Sequence, residues 1–462
     1  KTRNFFRHRD FLTAYAYDVN EIPYAIANQV TGVNEYAYKS NFFNPNIFTD
    51  YTTELGDGHN IKGMLGFQSE LYLDRNLSGS RDNIAAGIPT LNTTSTNPQT
   101  SGGYGHWATV GFFGRLNYNY NERYLAEVNL RYDGTSRFMK DQRWNWFPSF
   151  SLGWNVAREE FWEDYTDLIS NLKLRASWGE LGNQNTNNWY PFYRTIGRGN
   201  ANGGWLLNGE KPNTSWESDL VSSLLTWERT QTLDIGFDYS MFRNRLNLNF
   251  DWFQRKSLDM VGPAPELPNI LGIGVPRVNN LDMTSRGWEI QLNWRDAINS
   301  FSYGATLVLS DNTVTIDNYP NDSKSLSTYY SGAKIGDIWG YETVGIAKTD
   351  KEMQDHLASL SKGGQSAMGS NWGAGDIMYK DVNGDGKIDG GKNTVLDPGD
   401  RRIIGNTTPR YNFGLNLDAA YKGFDLKVFF QGTMKRDYMP GSGTTLFWGA
   451  VGYWQTNFFE PH

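Results

Sequence analysis

The chain of 462 residues carries 43 Lys and Arg against 50 Asp and Glu, a net charge of -7, and no Cys. The acidic balance excludes a general nucleic-acid binder, and the absence of thiols excludes disulfides and thiolate metal sites. Mean hydropathy is -0.59, and no run of about 18 apolar residues exists to build a transmembrane helix, yet 15% of the residues are aromatic and 49 are Gly.

The opening Lys1-Thr2-Arg3-Asn4 reads as the interior of a longer protein, so a fragment is expected. A strand is expected from about Phe5 to Tyr17, then a loop rich in Asn and Tyr. Strands follow at about 47–57 and 61–74, joined at Gly56-Asp57-Gly58-His59. The Ser/Thr/Asn/Gly-rich segment 75–104 reads as a long exposed loop. Ala108, Val110, Phe112, Leu116, Tyr118 and Tyr120 share one face, which Tyr124, Ala126, Val128, Leu130 and Tyr132 resume after the turn 121–123. Phe150, Leu152, Trp154 and Val156 alternate with Ser149, Ser151, Gly153 and Asn155. Phe161, Trp162, Tyr165, Leu168 and Ile169 change the period and predict a short amphipathic helix. Glu159-Glu160 stands at its start, where acidic side chains stabilise an N-terminus.

After the strand that begins at Leu172 and the long Asn/Gly/Trp loop 181–226, the pattern becomes sharpest. Leu233, Ile235, Phe237 and Tyr239 alternate with Asp234, Gly236 and Asp238; beyond Phe242-Arg243-Asn244-Arg245, Leu246, Leu248, Phe250 and Trp252 alternate with Asn247, Asn249 and Asp251. Period two with a short polar break is an antiparallel hairpin. Each strand holds the pattern for about ten residues, longer than the usual five or six in soluble sheets and matched to a tilted strand crossing a bilayer. A Pro-rich loop (259–281) precedes Trp288, Ile290, Leu292 and Trp294, and Phe301 to Leu309 returns. The insertion 313–408 holds one predicted helix around Met353, Leu357 and Leu360; the last hairpin sets Phe413, Leu415 and Leu417 beside Phe424, Leu426, Val428 and Phe430.

Short turns near 57–60, 121–123, 243–244, 296–299 and 422–423 fall on one side if the strands alternate up and down. The long loops 75–104, 181–226, 259–281 and 313–408 then fall on the other. Aromatic residues crowd the short turns. Short periplasmic turns, long extracellular loops and aromatic girdles define bacterial outer-membrane barrels. A soluble β-sandwich or propeller also alternates, but would need all three features by coincidence.

Several segments together resemble the SusC/RagA-type TonB-dependent outer-membrane transporters of Bacteroidetes. They are Arg131 to Phe138 (RYDGTSRF), Leu172 to Asn183 (LKLRASWGELGN), Trp227 to Thr230 (WERT), Asn280 to Glu289 (NLDMTSRGWE), Ile335 to Ile346 (IGDIWGYETVGI), Asp381 to Asp389 (DVNGDGKID) and Ile403 to Asn406 before Pro409-Arg410-Tyr411. They keep the family's order from about residue 107 onward. The resemblance implies a barrel of about 22 strands with an N-terminal plug, importing oligosaccharides or peptides. Import would be driven through the TonB complex, and a SusD-like surface lipoprotein would cover the mouth. About thirteen candidate strands are legible here, so barrel strands, the plug and the TonB-binding segment are expected outside these residues. The rival readings are a passive porin and a soluble glycan-binding β protein.

The sharpest local signal is the run from Asp381 to Asp389. Asp381, Asn383, Asp385 and Asp389 with the Lys387 carbonyl match a calcium loop of EF-hand type, with Gly386 at its turn position. Lys392 stands where the closing acid belongs, and the resemblance supplies Asp400, before Arg401, as the delayed ligand. The alternative is a solvated Asx turn without Ca²⁺. Trp189, Tyr190, Trp205 and Trp216 in the 181–226 loop either stack on sugar rings or pack the loop itself. The five His are scattered, and no H-E-x-x-H or G-x-S-x-G occurs, so an enzyme is not expected. Glu127, Arg131, Asp234, Asp238, Asp251 and Arg255 read as pore-facing charges.

Overall fold

The computed structural model describes residues 2–9, 13–15, 23–26, 30–85, 88–186, 188–200, 206–263 and 274–439, with side chains described from residue 30 onward. Its frame is one 14-stranded sheet in which strands pair antiparallel, mostly with the next strand in sequence. The strands are β1 (Thr2–Arg9), β2 (Gly32–Phe43), β3 (Asn46–Leu55), β4 (His59–Ile84), β5 (Thr94–Tyr120), β6 (Tyr124–Thr135) and β7 (Trp144–Asn155). They continue as β8 (Ile169–Asn183), β9 (Glu228–Met241), β10 (Leu246–Val261), β11 (Asn279–Ile298), β12 (Phe301–Asn318), β13 (Arg410–Tyr421) and β14 (Phe424–Lys435). β2 and β3 lie along the same edge of β4, one after the other, broken at Asn44-Pro45 where the Pro45 carbonyl accepts Ser69 N–H at 3.0 Å. The strand expected over Phe5–Tyr17 is described in two parts, β1 and Thr13–Tyr15, the remainder lying outside the described residues.

Period two does its work across the whole sheet. Tyr239, Leu248, Leu292, Leu307, Leu415 and Phe430 face one another in register over six strands, and the row Ile235, Trp252, Trp288 runs parallel to it. These residues share the face whose side chains stay exposed: Ile235 is 49% and Phe430 51% accessible. So broad an apolar surface is unstable in water and matches a lipid-covered wall. Aromatic rings mark both margins. Tyr120 stacks with Tyr124 on one side and Tyr132 with Trp144 and Trp146 on the other. Trp144 and Trp154 share a face of β7 ten residues apart, which at about 3.3 Å per residue and a tilt near 40° separates them by about 25 Å across the membrane.

The tight hairpin turns gather at one end, with the longer 156–168 link among them, and hydrogen-bond in series. Asn121 N–H donates to Gly58 O at 3.0 Å, Asn155 to Arg123 at 2.8 Å, Phe242 to Leu168 at 2.9 Å and Arg295 to Arg245 at 2.8 Å. The turns demand left-handed backbone. Lys422 (φ 45°) and Gly423 (φ 89°) form the two-residue link that matches strand twist. At Gly58 (φ 86°) a Cβ would stand 1.7 Å from Asn121 Oδ1.

Three expectations change. Segment 75–104 is no loop over most of its length: β4 and β5 run 26 and 27 residues, paired to Ile84↔Thr94. Both faces of this hairpin are polar above the lipid, so no alternation advertises it. The Asn/Tyr-rich stretch before residue 45 contains β2, tied by Tyr38 Oη to Tyr72 Oη at 2.6 Å. The expected helix after residue 158 is two 3-10 turns, Val156–Arg158 and Glu160–Tyr165. Glu159 does not cap it: its carboxylate accepts Trp154 Nε1–H at 2.8 Å and pairs with Arg123 at 3.4 Å, bracing the neighbouring strand turns.

Beyond the lipid margin the long loops build their own small cores. Phe138, Phe147, Leu225 and Trp227 form one; Ile316, Tyr330 and Ala333 a second; Ala347, Met353 and Met378 a third. The third rests on α1 (Asp350–Ser359), capped by Thr349, whose side chain accepts Glu352 N–H. Strands Asp337–Tyr341 and Arg401–Asn406 pair, joining two of the motif segments named above.

Candidate functional site

The polar face of the sheet carries charge where the apolar face carries lipid-facing rings. Arg175 of β8 donates to Asp238 of β9 at 2.9 and 3.0 Å and reaches Asp251 of β10 at 2.9 Å; Asn249 Nδ2 donates to the same Asp238 at 2.7 Å. Arg131 pairs with Asp133 at 3.0 Å, and Asn129 donates to Glu127 at 2.6 Å. The carboxylates lie flat across facing glycines: a Cβ on Gly236 or on Gly111 would stand 2.1 Å from Asp251 or Asp133. A concavity of about 780 Å³ opens on this face between Asp234, Asp251, Arg255 and Glu289. The Arg175 and Arg131 pairs are partly hydrated, while Asp234, Arg255 and Glu289 line the concavity without an ion pair among the described residues, a surface that suits a wetted passage.

At the long-loop end, on the same face, a second cavity of about 910 Å³ is walled by the loop after β8 and the segments flanking β10 and β11. Its floor is Leu225 and Val261, which belong to the Phe138–Trp227 core. Trp227 Nε1–H fastens that core to Arg143 O at 2.9 Å.

The three described loop aromatics, Trp189, Tyr190 and Trp216, do not converge. Trp189 packs edge-on to Tyr72 and over Gly105, against the tall β4–β5 hairpin. Tyr190 hydrogen-bonds His106 Nε2 at 2.8 Å and also lines the cavity. Trp216 covers Gly197 on the separate hairpin Ile196–Asn200/Asn213–Glu217, and Trp205 lies outside the described residues. Sequence reasoning missed Tyr193 and Arg277, which line the same cavity; no spacing rule connects residues so far apart in the chain.

The acidic loop is a series of Asx turns. Asp381 accepts N–H from Gly384 at 2.7 Å and Gly386 at 2.8 Å, Asn383 from Asp385 at 2.9 Å, and Asp385 from Lys387 at 3.1 Å. Asp389 accepts Gly391 N–H at 2.8 Å and pairs with the Lys387 ammonium. Asp400 is fully buried, its two oxygens taken by Val382 N–H at 2.9 Å and Asp389 N–H at 2.8 Å. Among the described residues no three acidic or imidazole side chains converge as metal ligands.

A sheet with one lipid-facing apolar surface, one charged surface, short turns at one end and long loops at the other is the wall of an outer-membrane β-barrel. Residues 2–459 match the model of the family described as "TonB dependent receptor-like, beta-barrel", and the chain belongs to that family. It is 28% identical over 430 residues to TonB-dependent receptor P3 of Formosa agariphila, covering 87% of this chain and 39% of that protein. It is 26% identical over 419 residues to TonB-dependent receptor SusC of Bacteroides thetaiotaomicron, covering 89% and 39%. The chain thus spans about four-tenths of the length of these curated relatives. The solved structure of the RagAB peptide transporter shares the fold, with a TM-score of 0.69 at 18% identity, over 93% of this chain and 44% of that one. The protein is an outer-membrane β-barrel of the TonB-dependent receptor-like family.

Proposed function

We propose that the chain forms the greater part of the barrel wall of a TonB-dependent importer of oligosaccharides or peptides, with a SusD-like lipoprotein over its mouth. The observation that carries this reading is the charged face of β8 to β11, opposite the lipid-facing rows. A plug inside the barrel would rest against this face, and TonB would act on the plug. Deleting the gene should abolish growth on one class of oligomer while leaving growth on its monomer intact. Growth on every oligomer, or loss that a tonB deletion fails to reproduce, would sink it.

Calcium in the 381–400 loop is a second proposal. It is favoured by the spacing of Asp381, Asn383, Asp385 and Asp389 around Gly384 (φ 74°) and Gly386 (φ 83°), whose left-handed backbone makes the tight turns that oxygen-ligand loops require. Binding would need Asp389 to exchange the Lys387 ammonium for the ion. Millimolar Ca²⁺ should slow protease cleavage between residues 381 and 400, and Asp385→Ala should remove that protection without affecting membrane insertion. Cleavage that ignores Ca²⁺ would leave the loop a metal-free turn.

A further inference from the structure

One row on the lipid-facing side of the sheet is lower than its neighbours. Register sets Tyr118, Ala126, Leu152, Ala176, Ile235 and Trp252 side by side from β5 to β10. The row nearer the turns is bulky, with Tyr124, Trp154, Leu174 and Phe237 in succession. The row beyond carries Phe150 and Trp178, whose rings stack at 6.1 Å. Ala126 and Ala176 therefore lie at the floor of an apolar groove of about 850 Å³, the kind of concavity that holds an apolar ligand. Tyr118 stands close to the turn-side end of β5, and Trp252 well inside β10, so the groove climbs away from the turns. Across these strands a spacing of about 4.8 Å adds up to about 24 Å, and a tilt near 40° turns that into a rise of about 15 Å. This is half of a hydrocarbon core of about 30 Å, the depth that one acyl chain fills.

The turn-side mouth of the groove meets the link between β7 and β8. Trp154, in the groove wall, donates Nε1–H to Glu159 at 2.8 Å, which sets the start of the link on the lipid-facing side of the strand ends. Phe161, Tyr165 and Leu168 are exposed on this link, and Trp162 packs against Tyr165 at 5.6 Å. Aromatic and apolar side chains at such a margin sit among lipid headgroups. Arg158 and Glu159 are spent on Glu122 and Arg123. Glu160, Glu163, Asp164 and Asp167 are exposed and form no ion pair among the described residues. Two nearby cations also lack an ion pair among the described residues: Arg243 on the adjoining turn, and Lys173, which points to the opposite, charged face. Carboxylates thus dominate the lipid side of this margin, which repels an anionic headgroup and attracts an ammonium.

We propose that the groove and the link together hold one phospholipid of the periplasmic leaflet with an ammonium headgroup. An acyl chain lies along Ala126, Leu152 and Ala176, and the ammonium faces the carboxylates of the link. The site rests on the membrane facing of the sheet and is independent of what the barrel imports. The test uses the purified full-length protein in nanodiscs of equal parts phosphatidylethanolamine and phosphatidylglycerol. Transfer to mild detergent follows, and native mass spectrometry counts the lipid retained. The unaltered protein should keep phosphatidylethanolamine at least fivefold over phosphatidylglycerol. Ala176→Phe, which fills the groove with an apolar ring, should cut retained lipid at least tenfold. Leu307→Phe, in the lipid-facing row on another part of the wall, should leave it unchanged. Replacing the link acids together (Glu160→Gln, Glu163→Gln, Asp164→Asn, Asp167→Asn) should keep a bound lipid and abolish the headgroup preference. Heat-modifiable mobility checks that each variant folds. Equal retention of both headgroups by the unaltered protein, lipid counts that ignore Ala176→Phe, or an equal loss with Leu307→Phe would overturn the site. A dimer that Ala176→Phe dissociates, with no lipid retained, would assign the groove to a second copy and overturn it as well. A headgroup preference that survives replacement of the four acids would overturn the role of the link.

Discussion

Leu248 and Asn249 are neighbours in β10 and point to opposite faces. Leu248 stands opposite Tyr239 and Leu292 in the lipid-facing row, and Asn249 Nδ2 donates to Asp238 on the charged face. Leu248 is the third residue of β10, between the turn-side margin and the midplane, where the cost of an Arg on the lipid face rises from about 0–1 kcal/mol at the interface toward about 2–4 at the centre. Leu248→Arg should therefore reduce the folded, heat-modifiable fraction in the outer membrane, while Asn249→Arg, which meets Asp238 and Asp251, should assemble normally; equal damage would reverse the facing. The turn that leads into β10 offers the opposite kind of change. Phe242, Arg243 and Asn244 all hold positive φ, at 55°, 59° and 66°, a region that costs a side chain about 1–2 kcal/mol. Arg243→Gly should raise the denaturant midpoint in micelles, reflecting a stability gain of up to about 1 kcal/mol once the lost chain stiffness is subtracted. The facing of Leu248 was legible in the sequence because period two acts on every residue of a strand. Tyr193 and Arg277 were not, because their proximity depends on how two loops fold over Leu225.

The long-loop elements are held by ion pairs that the pH can test. Glu342, beside the hairpin Thr343–Ile346/Ile377–Tyr379, accepts Lys380 Nζ–H at 3.0 Å and Arg402 Nη1–H at 2.8 Å. The Lys380 hydrogen bond first, and the charge of Arg402 after it, hold its carboxyl below the usual range. The Lys387 ammonium does the same to Asp389. A carboxyl depressed in the folded state contributes stability that is present above its unfolded value, about 4, and is lost as pH falls through the folded value. Protease cleavage within 342–400 should accelerate as pH drops below about 4, with the strands untouched, and Glu342→Gln should flatten that dependence. A rate that stays constant from neutral pH to 3 would show that these pairs hold nothing. The elements themselves were unevenly legible. α1 was, since Met353 and Leu357 keep one side and Thr349 caps it. The upper half of the β4–β5 hairpin was not, since water on both faces leaves its ladder without a hydrophobic signature.

For the whole molecule, the turn series fixes which end is which. The absence of Cys makes a clean test: Asn371→Cys, in the exposed part of the 313–408 segment, should react with an impermeant maleimide on intact cells, and Asn244→Cys should not. Labelling at Asn244 alone would invert the barrel. The sequence carried this architecture well, because the alternation of long and short connections is a property of the chain order and survives errors in any one strand. The same pairing of each strand with its successor has an evolutionary corollary. Removing or duplicating a whole hairpin, such as β9 with β10, leaves every later connection on its original side of the membrane and changes only the girth of the barrel. Removing one strand transposes every later loop, so that the acidic loop and its neighbours would emerge in the periplasm. Growth and loss by pairs is thus the route open to such a wall, in keeping with the even strand numbers of single-chain bacterial barrels.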